Sequence, residues 1–345
     1  MALTCALEDM LADFLGAEVA DLEVTDPALG RFARTARDCV LAGGKRLRPT
    51  FAYWGWRGVA DPDVTTREVL PALAALELLH TFALIHDDVM DRSATRRGRP
   101  TAHEVLAADH AAAGHRGDPA RFGTSGAVLL GDLCLVWADR LLAGAEVPPD
   151  TLLSARRCYD QMRIEAVAGQ YLDVLGEADA RGWSVERALR VARLKTASDT
   201  VARPMLLGAA LAQGLADGID RAYTAYGTAV GEAFQLCDDL LGVYGDPVVT
   251  GKPAGDDLRT GKPTALLLLA RERATDWQRA ELDRCDADVA RLAEIVADTG
   301  AVKSIESMVD ERVDAAVAAL LGAPIDATAR DALTTLAVSA THRPS

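Results

Sequence analysis

Three carboxylates, Asp87, Asp88 and Asp91, stand at DDxxD spacing at the end of a long apolar run. A basic stretch carrying Arg92, Arg96, Arg97 and Arg99 follows at once. If the run is helical, Asp87 and Asp91 share one face a turn apart. Both then lie near the carbonyl-rich C-terminus, where the helix dipole disfavours negative charge by ~0.3–1 kcal/mol each. Bound cations remove that conflict. A hard, oxygen-seeking ion such as Mg²⁺, held by one or two carboxylates and completed by substrate phosphates, suits these residues better than a cage built from protein alone. The neighbouring arginines then read as a phosphate clamp.

Other groups extend this chemistry. In GGKRLRP at 43–49, two glycines permit a close backbone approach, and Lys45, Arg46 and Arg48 surround the entry to a helix opened by Pro49. Such a place suits a diphosphate, although a solvated turn carries the same residues, and it is the company of the other motifs that favours the anion. His80 lies two helical turns before Asp87, on nearly the same face, which favours a hydrogen bond to phosphate over plain core packing. His86, one residue off that face, reads as structural. A second apolar run ends in Gln235, Asp238 and Asp239, spaced so that an amide and at least one carboxylate share a face. The loop beyond it holds Lys252 and Lys262, both able to reach a phosphate. Lys195-Thr196 and the pair Gln170 and Asp173 fall within further helices, and taken singly each is more readily structural.

The elements that must position these residues are helices. Alanine and leucine recur at helical spacing in nearly every segment, and no convincing alternating β-branched run is present. The spacing predicts helices over 5–22, 27–42, 47–58, 67–91, 101–112, 125–145, 150–175, 184–213, 217–243, 263–273, 278–298, 301–321 and 327–340. Glycine and proline mark the breaks, notably 114–126 and 245–262. Segments 69–86 and 226–237 are apolar nearly all round and so belong at the centre. Each ends in aspartates followed by a glycine-rich, basic loop, so two carboxylate clusters are expected to face one cavity. The fold class is therefore all-α, a single large helical bundle with a central apolar cavity, with residues 1–345 as one domain.

Bulk properties narrow the partners. The net charge of −14 and pI near 4.9 argue against a nucleic-acid surface and against general affinity for anionic membrane. Basic residues concentrated at 45–48 and 96–99 against that acidic background point to an anionic substrate. Six scattered cysteines with no CxxC pair suggest neither a zinc site nor a disulfide framework. The N-terminal residues are acidic where a signal peptide is basic, and no apolar run is expected to reach the ~18 residues of a spanning helix, the nearest being 126–145 with its two aspartates. The expectation is a cytoplasmic protein without stable membrane insertion.

In combination and order, GGKRLRP at 43–49, LLHTFALIHDDVMDRSATRRGRPTAH at 78–103, GQYLD at 169–173, KT at 195–196, FQLCDDLLG at 234–242 and GKPAGDDLRTGKPT at 251–264 resemble the trans-isoprenyl diphosphate synthases, or polyprenyl synthetases. The resemblance covers nearly the whole chain and implies an isoprenoid synthase type I-like bundle. It also implies roles. Lys45, Arg48, His80 and Arg97 would bind isopentenyl diphosphate; Arg96, Lys195, Thr196, Gln235, Lys252 and Lys262 would hold an allylic diphosphate. Asp87, Asp91 and Asp238 would bind Mg²⁺, with Asp88 and Asp239 in support. The family's reaction ionises the allylic diphosphate, and the cation is attacked by the double bond of isopentenyl diphosphate.

Phe82 and Ala83, five and four residues before Asp87, would wall the product tube about one turn (~5.4 Å) below the metals. That arrangement resembles microbial geranylgeranyl diphosphate synthases, although Phe82 as plain core packing leaves farnesyl or longer products open. Two positions depart from the family pattern. Gly242 replaces a third aspartate of the second motif, so a metal there would rely on water or Asp246. Asp199 replaces a tyrosine one turn from Lys195, and either pairs with that lysine or faces solvent. A class I terpene cyclase has no use for a second diphosphate set, and a non-catalytic partner subunit would be expected to have lost aspartates or basic residues; both rank below an elongating synthase. The resemblance further implies a homodimer.

Overall fold

The computed structural model describes residues 2–179, 182–245, 255–284 and 288–341, and its elements are almost entirely helical. The chain folds as two compact units, one formed by Met1–Thr50 and Asp63–Leu152, the other by Phe51–Pro62 and Leu153–Ser345.

The first unit is built round α4 (Leu70–Met90), whose residues from Ala72 to Leu79 are all buried. Around it pack α1 (Ala2–Thr25), α2 (Pro27–Val40), α5 (Ala102–Ala112) and α6 (Pro119–Ala143). Leu7, Leu11 and Leu15 repeat every four residues on α1 and are fully buried, each worth roughly 1.5–3 kcal/mol. By length and composition α4 is apolar enough to cross a membrane, contrary to the expectation that no such run exists, yet 61% of that window is buried in the fold, as in a core helix. The predicted start of α6 at 125 is late. Asp118 accepts a hydrogen bond from the Ala120 amide (3.0 Å) and Pro119 takes the first helical position, an Asp-Pro start buried in what reads as a loop sequence. Asp26-Pro27 opens α2 in the same way.

A two-residue hairpin, β1 (Thr95–Arg96) with β2 (Arg99–Pro100), stands in the basic loop. Arg97 and Gly98 at its tip both have positive φ, 53° and 72°, the geometry of a tight primed turn. The hairpin thereby sends the adjacent side chains of Arg96 and Arg97 to different partners.

The second unit is centred on α10 (Asp217–Tyr244). The same unit holds the last part of α3 (Leu47–Arg57), α7 (Pro149–Ala178), α8 (Val185–Ala192) and α9 (Arg203–Leu211), with α11 (Asp256–Thr260) to α16 (Ala327–Thr341) after α10. Of these later helices, α12 spans Ala265–Arg273 and α15 Ala301–Leu320. Buried Tyr226 and Tyr223 donate to the carbonyls of Leu333 (2.7 Å) and Gly55 (3.2 Å), and burial pushes both phenols well up.

The predicted helix 184–213 is three segments, because Arg193–Ala202 between α8 and α9 is π-helical. Pro204 lacks the N–H that would continue the α-ladder, and a widened turn accommodates the loss. Glycines admit the wide turn at close quarters: a Cβ on Gly231 would fall 2.1 Å from the Ala197 Cα, and one on Gly169 2.5 Å from the Lys195 nitrogen. The predicted 278–298 is likewise divided, into α13 (Asp276–Leu282), opened by a Thr275 capping box, and α14 (Val289–Asp298).

Candidate functional site

In the first unit the acidic end of α4 and the basic hairpin are locked together. Arg96 Nε donates to Asp88 Oδ1 at 2.7 Å, and Arg96 Nη2 lies 3.3 Å from Asp87 Oδ2. Asp88 is buried; burial raises its carboxyl pKa, and the bond and charge of Arg96 act against that rise. Asp91 caps α4, its amide donating to the Asp87 carbonyl at 2.8 Å. Arg96, expected on a diphosphate, is thus held by the acids, whereas Arg97 donates to the Gly43 carbonyl and ties the hairpin to the glycine turn.

Lys45 is exposed on that turn and Arg48 half-buried one helical turn on. His80 is half-buried, and its Nδ1 is enclosed without a hydrogen-bond partner. Burial, then the guanidiniums of Arg48, Arg97 and Arg96, drive its pKa well below the ordinary value, so a neutral imidazole stands among cations. A neutral ring with an unmatched nitrogen beside several guanidiniums is a receptive setting for an anion. His86 is structural: its Nε2 lies 2.9 Å from the Val128 carbonyl, in space that a Cβ on Gly131 would fill. Its ring braces Phe82 edge-on at 4.8 Å, fixing the aromatic expected to limit chain length.

In the second unit, Lys195 Nζ and Lys262 Nζ both reach Asp173 Oδ2, at 2.6 and 2.9 Å, and Glu177 lies 3.4 Å from Lys262. Burial opposes the charge of Asp173, yet the two ammonium groups hold its pKa below the ordinary value, and that of Lys262 is raised. Sequence reasoning gave Asp173 no role; its signals were its three-residue spacing from Gln170 and its place in the GQYLD motif, and the lysine partners come from 22 and 89 residues away.

Thr196 Oγ1 donates to Gln235 Oε1 (2.7 Å), and Gln235 Nε2 donates to Asp239 Oδ1 (3.0 Å). Asp239 also accepts from the Ala265 amide (3.1 Å) at the start of α12, so it ties α10 to the helix beyond the loop. Asp238 is half-buried on α10 and Asp239 fully buried. Asp173, Lys195, Lys262, Gln235 and Asp239 line a depression with Trp183, Leu189 and Pro263. Lys252 and Asp246 lie outside the described residues. Asp199 is only 4% exposed, which overturns the solvent-facing alternative, and the Lys195 ammonium rests on Asp173.

The donor set suits a divalent cation. Burial first, then the charges of Asp257 and Asp238, push the Asp239 pKa up to about 7, a repulsion that a cation would relieve. Gly242 opens a place for acid: a Cβ there would lie 2.3 Å from Asp257 Oδ2, so Asp257 from α11 stands beside the position of the missing third aspartate. Among the described residues no three His, Cys, Asp or Glu side chains form a closed cage. The arrangement therefore fits an ion that completes its shell with substrate oxygens.

The polyprenyl synthetase family model matches residues 31–298. The chain is 33% identical over 315 residues to a geranylfarnesyl diphosphate synthase of Aeropyrum pernix, across 89% of this chain and 92% of the relative. It is 36% identical over 286 residues to a geranylgeranyl diphosphate synthase of Mycobacterium tuberculosis, across 81% and 75%. Among solved structures it is similar to the geranylgeranyl pyrophosphate synthase of Corynebacterium glutamicum complexed with isoprenyl diphosphate and magnesium, with a TM-score of 0.93, 39% identity and 99% coverage of both chains. A polyprenyl synthase of Caulobacter crescentus complexed with calcium and isoprenyl diphosphate gives a TM-score of 0.75 at 31% identity, with 98% of both chains covered.

Proposed function

The chain belongs to the polyprenyl synthetase family, and from that premise we propose that it is a short-chain trans-prenyltransferase. It joins isopentenyl diphosphate to an allylic diphosphate and makes geranylgeranyl diphosphate, the product named for relatives of both sequence and fold. The observation that carries this reading is the enclosed His80 Nδ1 without a hydrogen-bond partner, within electrostatic reach of Arg48 and Arg97. That is a set for a second diphosphate, for which a one-substrate cyclase has no use.

The chemistry follows from the groups present. Lys45, Arg48, Arg97 and His80 bind the diphosphate of the nucleophilic substrate. Lys195, Lys262 and Gln235 hold the allylic diphosphate, and their positive charge and hydrogen bonds stabilise the negative charge that develops as the carbon–oxygen bond breaks. Mg²⁺ would be held by Asp87 and Asp91 in the first unit, and by Asp238, with Asp257 beside Gly242, in the second, and would supply Lewis-acid neutralisation of the leaving group. Apolar helices keep water from the allylic cation while the double bond attacks. One proton then leaves, taken by the released diphosphate, and the chain has grown by five carbons.

We read residues 1–345 as one catalytic domain, in keeping with the match over 99% of the Corynebacterium chain. A homodimer is supported by Phe122, Leu129 and Val136, exposed on α6 one heptad apart. A cytoplasmic setting agrees with the free thiols of the described cysteines.

The test is to incubate the protein with Mg²⁺, labelled isopentenyl diphosphate and each allylic primer in turn, and to separate the dephosphorylated products by length. A dominant twenty-carbon alcohol is expected. Another single length would overturn the assignment of product, and a cyclic hydrocarbon from primer alone would overturn the reaction class.

A further inference from the structure

Arg46 is the one basic residue of the 45–48 cluster whose side chain turns inward. Its φ of 49° is a backbone conformation that non-glycine residues rarely adopt. Its side chain is only 4% exposed, and it meets a Glu77 side chain that is 6% exposed. Arg46 Nη1 donates to Glu77 Oε2 at 2.5 Å and Nη2 to the Val40 carbonyl at 3.1 Å. The Arg46 carbonyl begins α3, accepting from the Thr50 amide at 3.1 Å and the Thr50 hydroxyl at 2.7 Å. One residue thus joins the end of α2, the start of α3 and the middle of α4.

This junction sits between the groups that grip the nucleophilic substrate. Lys45 precedes Arg46, Arg48 follows it by two, and Glu77 lies one helical turn before His80 on α4. The unusual backbone at Arg46 decides which way its neighbours face. If Arg46 swung out, the basic turn would lose its fixed relation to α4. A buried ion pair is seldom a large net source of stability, since desolvating two charges offsets most of their attraction. Its use here is positional.

We propose that Arg46 and Glu77 are a positioning pair, an internal latch that holds Lys45, Arg48 and His80 in the one arrangement able to receive the diphosphate of the nucleophilic substrate. The inference deepens the prenyltransferase reading and rests on it for the identity of that substrate. Neither residue touches substrate in this account.

The experiment compares wild type, the double variant Arg46→Met/Glu77→Leu, Arg46→Lys and Lys45→Ala. The double variant replaces the ion pair with apolar groups of similar size, a change that leaves buried sites folded where single removal does not. Steady-state kinetics are expected to show its KM for isopentenyl diphosphate raised on the order of 10- to 100-fold, the cost of displacing binding groups by about an ångström. Its KM for the allylic primer and its melting temperature should stay near wild type. Arg46→Lys keeps the charge but not the simultaneous bonds to Glu77 and Val40, and should fall between.

A folded double variant with wild-type KM for isopentenyl diphosphate, or Arg46→Lys with wild-type KM should the double variant not fold, would overturn the proposal. So would a parallel rise in both KM values, which marks general loosening. If wild type does not consume isopentenyl diphosphate, the functional reading has failed, and titration with inorganic pyrophosphate still decides the latch. The signal lost in Lys45→Ala should then be lost in the double variant as well, and its survival there would contradict the positioning role.

Discussion

Asp88 and Asp239 occupy the same place in two DD pairs, each the second acid near the end of a central helix, and each is almost fully buried. Their partners differ. Asp88 faces the guanidinium of Arg96, delivered by the hairpin, so its negative charge is answered within the protein. Asp239 is bonded by two neutral donors, the Gln235 amide and the Ala265 N–H, and is repelled by Asp257 and Asp238. One dipeptide thus gives an ion pair on α4 and, on α10, a carboxyl that holds its proton to about pH 7. Burial alone does not decide the state of an acid; the charge type of the donors brought to it does.

The largest effect is expected at Asp87, the half-buried acid beside the ion pair that the proposed function assigns to metal and substrate. Asp87→Asn is expected to lower kcat by roughly 10²–10³-fold at saturating Mg²⁺, the usual loss when a group stabilising developing charge is removed. Single-turnover rates with a primer and isopentenyl diphosphate check it.

Next in size is the contrast between the two buried acids. Asp88→Asn keeps an oxygen for Arg96 but removes the charge that answers it, leaving Asp87 at 3.3 Å as the carboxylate bonded to the guanidinium, and should cost about 2 kcal/mol of stability. That is below the full value of a broken buried pair because Arg96 is partly solvated. Asp239→Asn, replacing an acid that is largely protonated below pH 7, should cost less than about 1 kcal/mol at pH 6. Denaturant melts of both variants at one pH would sharpen or erase the distinction.

Asp173→Asn removes the carboxylate that orients Lys195 and Lys262. The expected result is a roughly tenfold rise in KM for the allylic primer with KM for isopentenyl diphosphate unchanged, since only the first substrate's cations lose their anchor.

The smallest effect belongs to Gly242→Ala. Its methyl group displaces the flexible Asp257 carboxylate rather than backbone, so stability should change by no more than about 0.5 kcal/mol. The Mg²⁺ concentration for half-maximal rate should rise a few-fold, roughly 1 kcal/mol or less of lost binding free energy.

Much of this was legible in the sequence. Helical spacing locates the central helices, and the motifs single out Asp87, His80, Lys195 and Gln235, which the structure finds beside Arg96, among guanidiniums, on Asp173 and bonded to Thr196 respectively. Less legible was where each charge is spent. Arg96 reads as a phosphate ligand by position, yet two positive φ values at Arg97 and Gly98 turn it onto Asp88 and Asp87. Asp173 and Asp257 acquire their roles from partners distant in sequence, and no local pattern encodes that. The π-helical turn escaped because one proline outweighs an otherwise regular α-helical period. The start of α6 at Pro119 was missed for the opposite reason: its Asp-Pro signature was present, in a segment dominated by glycine.

The difference between Asp88 and Asp239 is tested most directly by the pH dependence of thermal unfolding in the ligand-free protein, measured from pH 4.5 to 8 for wild type, Asp239→Asn and Asp88→Asn. An unfolded aspartate releases its proton near pH 3.9, whereas folded Asp239 holds it to about pH 7. The folded state therefore binds more protons between those values, and its stability falls as pH rises through that window. Wild type should lose a few degrees in melting temperature from about pH 5 to 7.5. Asp239→Asn should flatten most of that decline, whereas Asp88→Asn, which removes a carboxyl that burial also raises but Arg96 counters, should leave most of it in place. A decline that survives in Asp239→Asn, or disappears in Asp88→Asn instead, would contradict the account.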